Sequence, residues 1–188
     1  MERSSVDNIY AIGDVLEGVP ELMPVAQKGG KLIAHRIHER MNGDKTEDEI
    51  LKKHGTDYSN IPTTIFSPSE YSFVGFSEEE ALKEHGDEDI EVYHREVTPL
   101  ELSIVKGNLK SSYMKLICLK SQNEKIIGMH YLGPAADEVI AGYAVAMKLG
   151  LRKEHLDASI GIHPSTSEEF FNMEITKRSK EDYSKTEC

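Results

Sequence analysis

An imidazole and a carboxylate stand five residues apart in the run Ile160-Gly161-Ile162-His163-Pro164-Ser165-Thr166-Ser167-Glu168-Glu169. Proline disfavours helical backbone in the residue before it, so His163 is expected in an extended conformation. From there the Glu168 carboxylate can fold back onto one ring nitrogen. A base held by an orienting carboxylate is the arrangement used in acid–base catalysis. The same residues have a plainer use. Ser165-x-x-Glu168 is also the pattern of a capping box opening a helix, which would leave His163 an ordinary loop residue.

A second constellation is Ile9-Tyr10-Ala11-Ile12-Gly13-Asp14, followed by Glu21-Leu22-Met23-Pro24-Val25-Ala26. A carboxylate at the C-terminal end of a buried strand can accept hydrogen bonds from ligand hydroxyls, and a glycine before it lets a ligand approach the backbone. A helix beginning near Pro24 would aim its positive end at the same region. These features suit a ligand with a polyol and a part that becomes anionic, as reduced flavin has. An aspartate after a strand is more often a turn residue, so this pattern alone does not decide. The two cysteines separate by position: Cys118 sits in the apolar run Leu116-Ile117-Cys118-Leu119, whereas Cys188 is the last residue. The first reads as a buried structural thiol.

These groups need elements to position them. Residues 8–12 read as a strand, and 24–41 as a helix with Val25, Gly29, Ile33, Ile37 and Met41 recurring every fourth place and Gly43 as its stop. Gly29 and Gly30 should each weaken that helix by roughly 1 kcal/mol relative to alanine, so either something approaches closely there or packing compensates. Residues 44–60 are charged and read as a linker with a possible short exposed helix. Beyond them, 63–66, 73–76, 90–93, 113–120 and 126–132 have strand composition, the last two joined by the turn Ser121-Gln122-Asn123-Glu124. Ser77 to Glu80 caps a helix reaching about His85. Val139, Ile140, Tyr143, Ala144 and Met147 mark a strong helix within 134–150, and a last helix covers about 167–175. Residues 176–188 read as a polar, mobile tail. The expected fold class is α+β, an antiparallel sheet with helices, preceded by the last strand and helix of a flavin-binding α/β domain.

Composition narrows the classes of function. A net charge of −11 argues against a nucleic-acid partner, since phosphate binding needs a basic face. No apolar run has the length needed to cross a bilayer, which argues against a membrane partner. Two cysteines cannot make a disulfide framework, which favours a reducing compartment. No metal-ligand spacing stands out.

The two motifs, in this order and spacing, resemble the pyridine nucleotide–disulfide oxidoreductases. The first resembles that family's second flavin-binding signature. By that resemblance Asp14, with Gly13, binds the ribityl chain of FAD, Leu22, Met23 and Pro24 lie under the isoalloxazine, and the helix dipole steadies its N1–C2 carbonyl edge. His163 to Glu168 matches the family's His-Pro-x-x-x-Glu motif. The resemblance implies that His163 is the acid–base, that Glu168 orients it, and that the pair serves the opposite subunit of a homodimer.

Within the family, Ile61-Pro62-Thr63-Thr64-Ile65-Phe66-Ser67-Pro68-x-Glu70-Tyr71, Ile90-Glu91-Val92-Tyr93-His94 and the extended ending are more similar to large thioredoxin reductases than to glutathione reductase. The implied activity is NADPH- and FAD-dependent reduction of thioredoxin, with Cys188 as a possible tail redox thiol. Glutathione reductase, a thioredoxin–glutathione reductase, and a non-catalytic dimerisation module are the alternatives. The sequence departs from the family's pattern in lacking Gly-x-Gly-x-x-Gly and Cys-x4-Cys, in having Glu187 before Cys188, and in a longer 44–60 stretch. It is therefore expected to be a C-terminal part: 1–43 the remnant of an FAD domain, 44–60 a linker, 61–175 the dimerisation domain and 176–188 the tail. The expected compartment is cytoplasmic, with the mitochondrion open.

Overall fold

The computed structural model describes residues 2–43, 45–104 and 112–185. The chain divides between Ser59 and Asn60 into two compact units.

In the first unit, α1 (Met23–Asn42) opens on Leu22 with Pro24 in its first turn. Its buried residues are Val25, Gly29, Ile33 and Arg36. The expected repeat of four fails after Ile33, and Met41 is exposed. A helix has 3.6 residues per turn, so steps of four drift off the face and a step of three must restore it. The restoring residue is Arg36, whose guanidinium pairs with Glu2 at 2.6 Å and donates to the His54 carbonyl at 2.8 Å. Tyr58 donates to the other Glu2 oxygen at 2.7 Å, so this buried charge is partnered on every side described. The close approach foreseen at the glycine pair is made by Tyr58 over Gly29 and by Ile12, whose Cδ1 would lie 3.1 Å from a Cβ on Gly30.

Residues 8–12 do not form a strand. They make one isolated antiparallel bridge, Arg3 with Tyr10, and lead into a 3₁₀ turn at Gly13–Val15. A strand is defined by its ladder, and no neighbouring strand stands beside this segment among the described residues. The stretch expected as a linker holds the short, mostly exposed helix expected there, and that helix lies within the first unit. It is α2 (Glu47–His54), closed by a capping box between Thr46 and Glu49 and anchored by Ile50, which is 1% exposed. Glu39 of α1 takes Lys53, Lys45 and His54, which hold its carboxyl down at about 2.

The second unit begins with β1 (Thr63–Ile65) and β2 (Tyr71–Gly75), then α3 (Glu78–His85), whose Ser77 and Glu80 form the expected capping box. β3 (Ile90–Val97), a short α4 (Leu100–Ser103), β4 (Ser112–Leu119) and β5 (Lys125–Leu132) follow. Next come α5 (Ala136–Lys148) and α6 (Lys153–Asp157). A two-residue β6 (Ser184–Lys185) completes a sheet of order β1-β2-β5-β4-β3-β6. All neighbours pair antiparallel except β6, which runs parallel to β3.

Strand alternation sends Met114, Leu116 and Cys118 to one face of the sheet and Ile117 and Leu119 to the other. A bulge opposite Ile117 and Cys118 lets Ile126 and Met129, three apart, share the first face. That face is covered by Ala136, Ile140, Ala144 and Met147 of α5; the opposite face takes Ala81 and Leu82 of α3.

Two sequence expectations near the C-terminus change. The last helix is a 3₁₀ turn, Thr166–Asn172, in place of an α-helix over 167–175. Phe170 within the turn and Met173 just past its end both enter the core. The tail is not free of the sheet either. Lys177 N donates to the Val92 carbonyl at 2.9 Å, Lys177 and Arg178 pair with Glu78 and Asp87, and β6 pairs with β3. An uncovered β3 edge would leave backbone groups unpaired, and this segment satisfies them. Residues 186–188, with Cys188, lie outside the described residues.

Candidate active site

The 3₁₀ turn is tied down before it presents any chemistry. Phe170, fully buried, meets Tyr131 edge-on at 6.4 Å and Tyr143 at 5.1 Å. The Tyr143 hydroxyl on α5 donates to the Ser167 carbonyl at 3.2 Å. From β3, Arg95 Nε lies 2.8 Å from the Glu169 carboxylate, and Arg95 Nη1 donates to the Asn172 carbonyl at 2.5 Å. The turn is thus held along its length by three elements, β3, β5 and α5.

On this support Glu168 Oε1 lies 2.9 Å from His163 Nδ1. The same oxygen accepts the Ser165 N–H at 3.4 Å, and the Glu168 N–H donates to the Ser165 carbonyl at 3.3 Å. Glu168 Oε1 thus faces the start of the turn and the His163 ring at once. An ionised carboxylate only accepts hydrogen bonds, so Nδ1 carries the hydrogen and Nε2 is the free nitrogen of the neutral ring. The Glu168 side chain is 17% exposed and the His163 side chain 69%, so a fixed carboxylate steers a ring open to a group arriving from outside. The His163-Pro164 peptide is cis. Gly161 passes so close that a methyl there would stand 2.4 Å from Glu168 Cβ. A cleft of about 110 Å³ runs between residues 97–101 and the turn bearing His163, Glu168 and Asn172.

In the first unit, Gly13 is buried at φ +69°, and a Cβ there would stand 3.0 Å from that of Ala26. It serves the packing of the turn onto α1, and Asp14 is exposed beside it. No side chain caps α1 at Leu22, and Met23 and Pro24 are exposed. An accepting carboxylate, an uncapped positive helix end and adjoining apolar side chains are together a donor and acceptor set that a flavin fits.

Cys118 is fully buried, and burial pushes its thiol up to about 12, which makes it structural. Among the described residues no group of three or more His, Cys, Asp or Glu side chains is placed to hold a metal ion, and no helix is long and apolar enough to cross a membrane. Sequence reasoning missed Arg95 and assigned Tyr143 only to an apolar face. Arg95 gave no signal, since its carbonyl partner is 77 residues away. The hydroxyl of Tyr143, alone in that stripe, was a signal that it needed a partner.

Residues 61–174 match the family described as pyridine nucleotide-disulphide oxidoreductase, dimerisation domain. The chain is 42% identical, over 195 aligned residues, to thioredoxin reductase SEP1 of Emiliania huxleyi, across 100% of this chain and 37% of that protein. The HOCl-induced flavoprotein disulfide reductase RclA from Escherichia coli shares the fold with a TM-score of 0.70 at 22% identity, over 92% of this chain and 36% of its own. The chain thus spans little more than a third of either relative. With β1 to β5, α3 to α6 and the His163 motif inside the matched region, the chain belongs to the pyridine nucleotide-disulphide oxidoreductase family.

Proposed function

We propose that this chain supplies the C-terminal portion of an NADPH- and FAD-dependent thioredoxin-disulfide reductase, contributing the His163 and Glu168 acid–base pair and the dimer interface. The 2.9 Å contact between those side chains carries the reading. When a thiolate opens a disulfide, one sulfur bonds to the attacker and the other leaves as a thiolate. His163, as the imidazolium, gives its Nε2 proton to that leaving sulfur, while Nδ1 keeps its hydrogen bond to Glu168 and the carboxylate stabilises the cation. In the reverse direction the neutral ring takes the proton back.

Asp14 and Gly13, with Leu22, Met23 and Pro24, would hold FAD: the carboxylate accepts from hydroxyls, the apolar side chains contact the ring system, and the α1 terminus favours negative charge. Bound there, the flavin supplies the electrons for disulfide reduction. A homodimer fits the family's dimerisation domain and the exposure of Ile160, Ile162, Val145 and Leu149. The name of the relative from Emiliania huxleyi favours thioredoxin over glutathione as the disulfide substrate. A reducing compartment, cytoplasmic or mitochondrial, suits a chain with two cysteines.

The test is a reductase carrying this chain, assayed with NADPH against thioredoxin and against glutathione disulfide. Thioredoxin turnover that collapses in His163→Ala with flavin content retained supports the proposal. Preference for glutathione disulfide, or indifference to His163→Ala, overturns it.

A further inference from the structure

The segment after Ile175 is polar, yet it returns to the sheet twice. Its first contact is an antiparallel bridge between Thr176 and Tyr93, flanked by the Lys177 N–H on the Val92 carbonyl. The chain then reverses, and Tyr183 lies on His94 with ring centroids 4.3 Å apart and 30° between the planes. Tyr113 meets the Tyr183 ring edge-on at 6.0 Å, and its hydroxyl lies 3.1 Å from His94 Nδ1. The stack brings the Tyr183 carbonyl to the Glu96 N–H at 3.0 Å and starts β6 in parallel register, Ser184 beside Glu96 and Lys185 beside Val97. β6 therefore travels in the direction of β3, toward residues 97–101, which line the cleft of His163.

We propose that Tyr183 is a latch: its stack on His94 fixes the C-terminal segment to the sheet edge in this register, and the latch opens when His94 takes up a proton. The charged and titratable groups facing His94 are Lys115 and Tyr113 on β4, Lys177 and Tyr183 on the C-terminal segment, and Glu78 on α3, with Glu174 lining the same cavity. Glu78 is already shared, with Lys115 at 3.1 Å and Lys177 at 2.7 Å. An imidazolium would be a third cation on one carboxylate. Burial, helped by the two lysines, holds the His94 pKa below the ordinary histidine value. The tyrosine faces attract a cation, but a ring only 8% exposed loses more by desolvation. Tyr183 covers one face of the ring, and lifting it would open that face to water. The bond from the Lys177 N–H to the Val92 carbonyl and the pair of Arg178 with Asp87 do not touch the His94 ring, so release should be confined to the stretch after them. The latch is independent of the proposed reductase reading; only its consequence, control of what passes the His163 cleft, rests on that reading.

The amide of Glu96 reports the latch and that of Lys177 serves as the internal reference, both read by hydrogen exchange on the full chain. In Tyr183→Ala, Glu96 should exchange about tenfold faster or more while Lys177 stays protected, as expected for local opening. Tyr183→Phe, which keeps the ring, should restore protection. In the wild type, protection of Glu96, corrected for intrinsic exchange, should fall as His94 protonates on lowering the pH. His94→Phe, which keeps a stack without a titrating group, should remove that pH dependence. Unchanged Glu96 protection in Tyr183→Ala, or release at low pH that persists in His94→Phe, would overturn the proposal.

Discussion

Glu168 Oε1 stands 2.9 Å from His163 Nδ1 while it also takes the Ser165 amide at the start of the turn. In a reductase carrying this chain, His163→Ala should lower kcat by ~10²–10⁴-fold with flavin content unchanged. Glu168→Gln should do less, because its amide oxygen still accepts from Nδ1 but stabilises the imidazolium poorly. Steady-state kinetics on the two variants decide. Equal losses would show that the carboxylate does more than orient and stabilise the ring.

Arg95 secures both the Glu169 side chain and the Asn172 carbonyl. Arg95→Met removes both contacts, one with the largely shielded Glu169 carboxylate and one at the exposed Asn172. The expected cost is about 1–3 kcal/mol in chemical denaturation. Loss of less than a few tenths would mean that the turn holds its place without β3.

His130 is buried, its Nε2 donating to the Phe76 carbonyl at 2.9 Å and its Nδ1 accepting from the Tyr71 hydroxyl at 2.7 Å. Burial lowers its pKa from the ordinary 6.5. Between the unfolded value and the lower folded value, the unfolded chain binds more protons. The stability this group contributes is therefore complete above pH 6.5 and is lost as the pH falls through the folded value. Melting temperatures measured from pH 8 down to about 5 should fall, and fall less steeply in His130→Asn. His94 carries a shift of the same sign, so some slope should remain.

Ile50 shows that residues 47–54 are more than a tether. It is 1% exposed, and Ile50→Ala should cost roughly 2–5 kcal/mol in the first unit. Calorimetry or denaturant titration on the variant gives the value. A neutral result would restore the linker reading.

Cys118 should be inert in the native chain. With Cys188→Ser leaving one thiol, a disulfide reagent at pH 8 should react only after denaturant is added, since burial holds Cys118 at about 12. Fast reaction of the native variant would mean that β4 opens readily.

Much of the fold was legible because its signals were local. The Ser77 and Glu80 box, the β4 and β5 hairpin and the α5 stripe each announce themselves within a dozen residues, and so does His163 with Glu168. What could not be read depends on partners far along the chain. Residues 8–12 have strand composition but no ladder; Ile50 looks like one apolar residue among charges until α1 is beside it. Residues 166–172 fit a helix by pattern, and that pattern does not separate an α-helix from the 3₁₀ turn they form. The 176–185 segment reads as solvent-facing because its charges find theirs on α3 and the following loop, about ninety or more residues back.

That segment also decides how safely the sheet ends. One outer strand, β1, is three residues long and offers little for another molecule to pair with. The other side ends at β3, eight residues long, and there the C-terminal segment occupies backbone groups at Val92, His94 and Glu96. Cutting the chain before Thr176 would bare a strand rich in β-branched and aromatic residues and invite edge-to-edge aggregation. The tail therefore acts as a guard against self-templating, a duty that does not depend on the chemistry of its last residue.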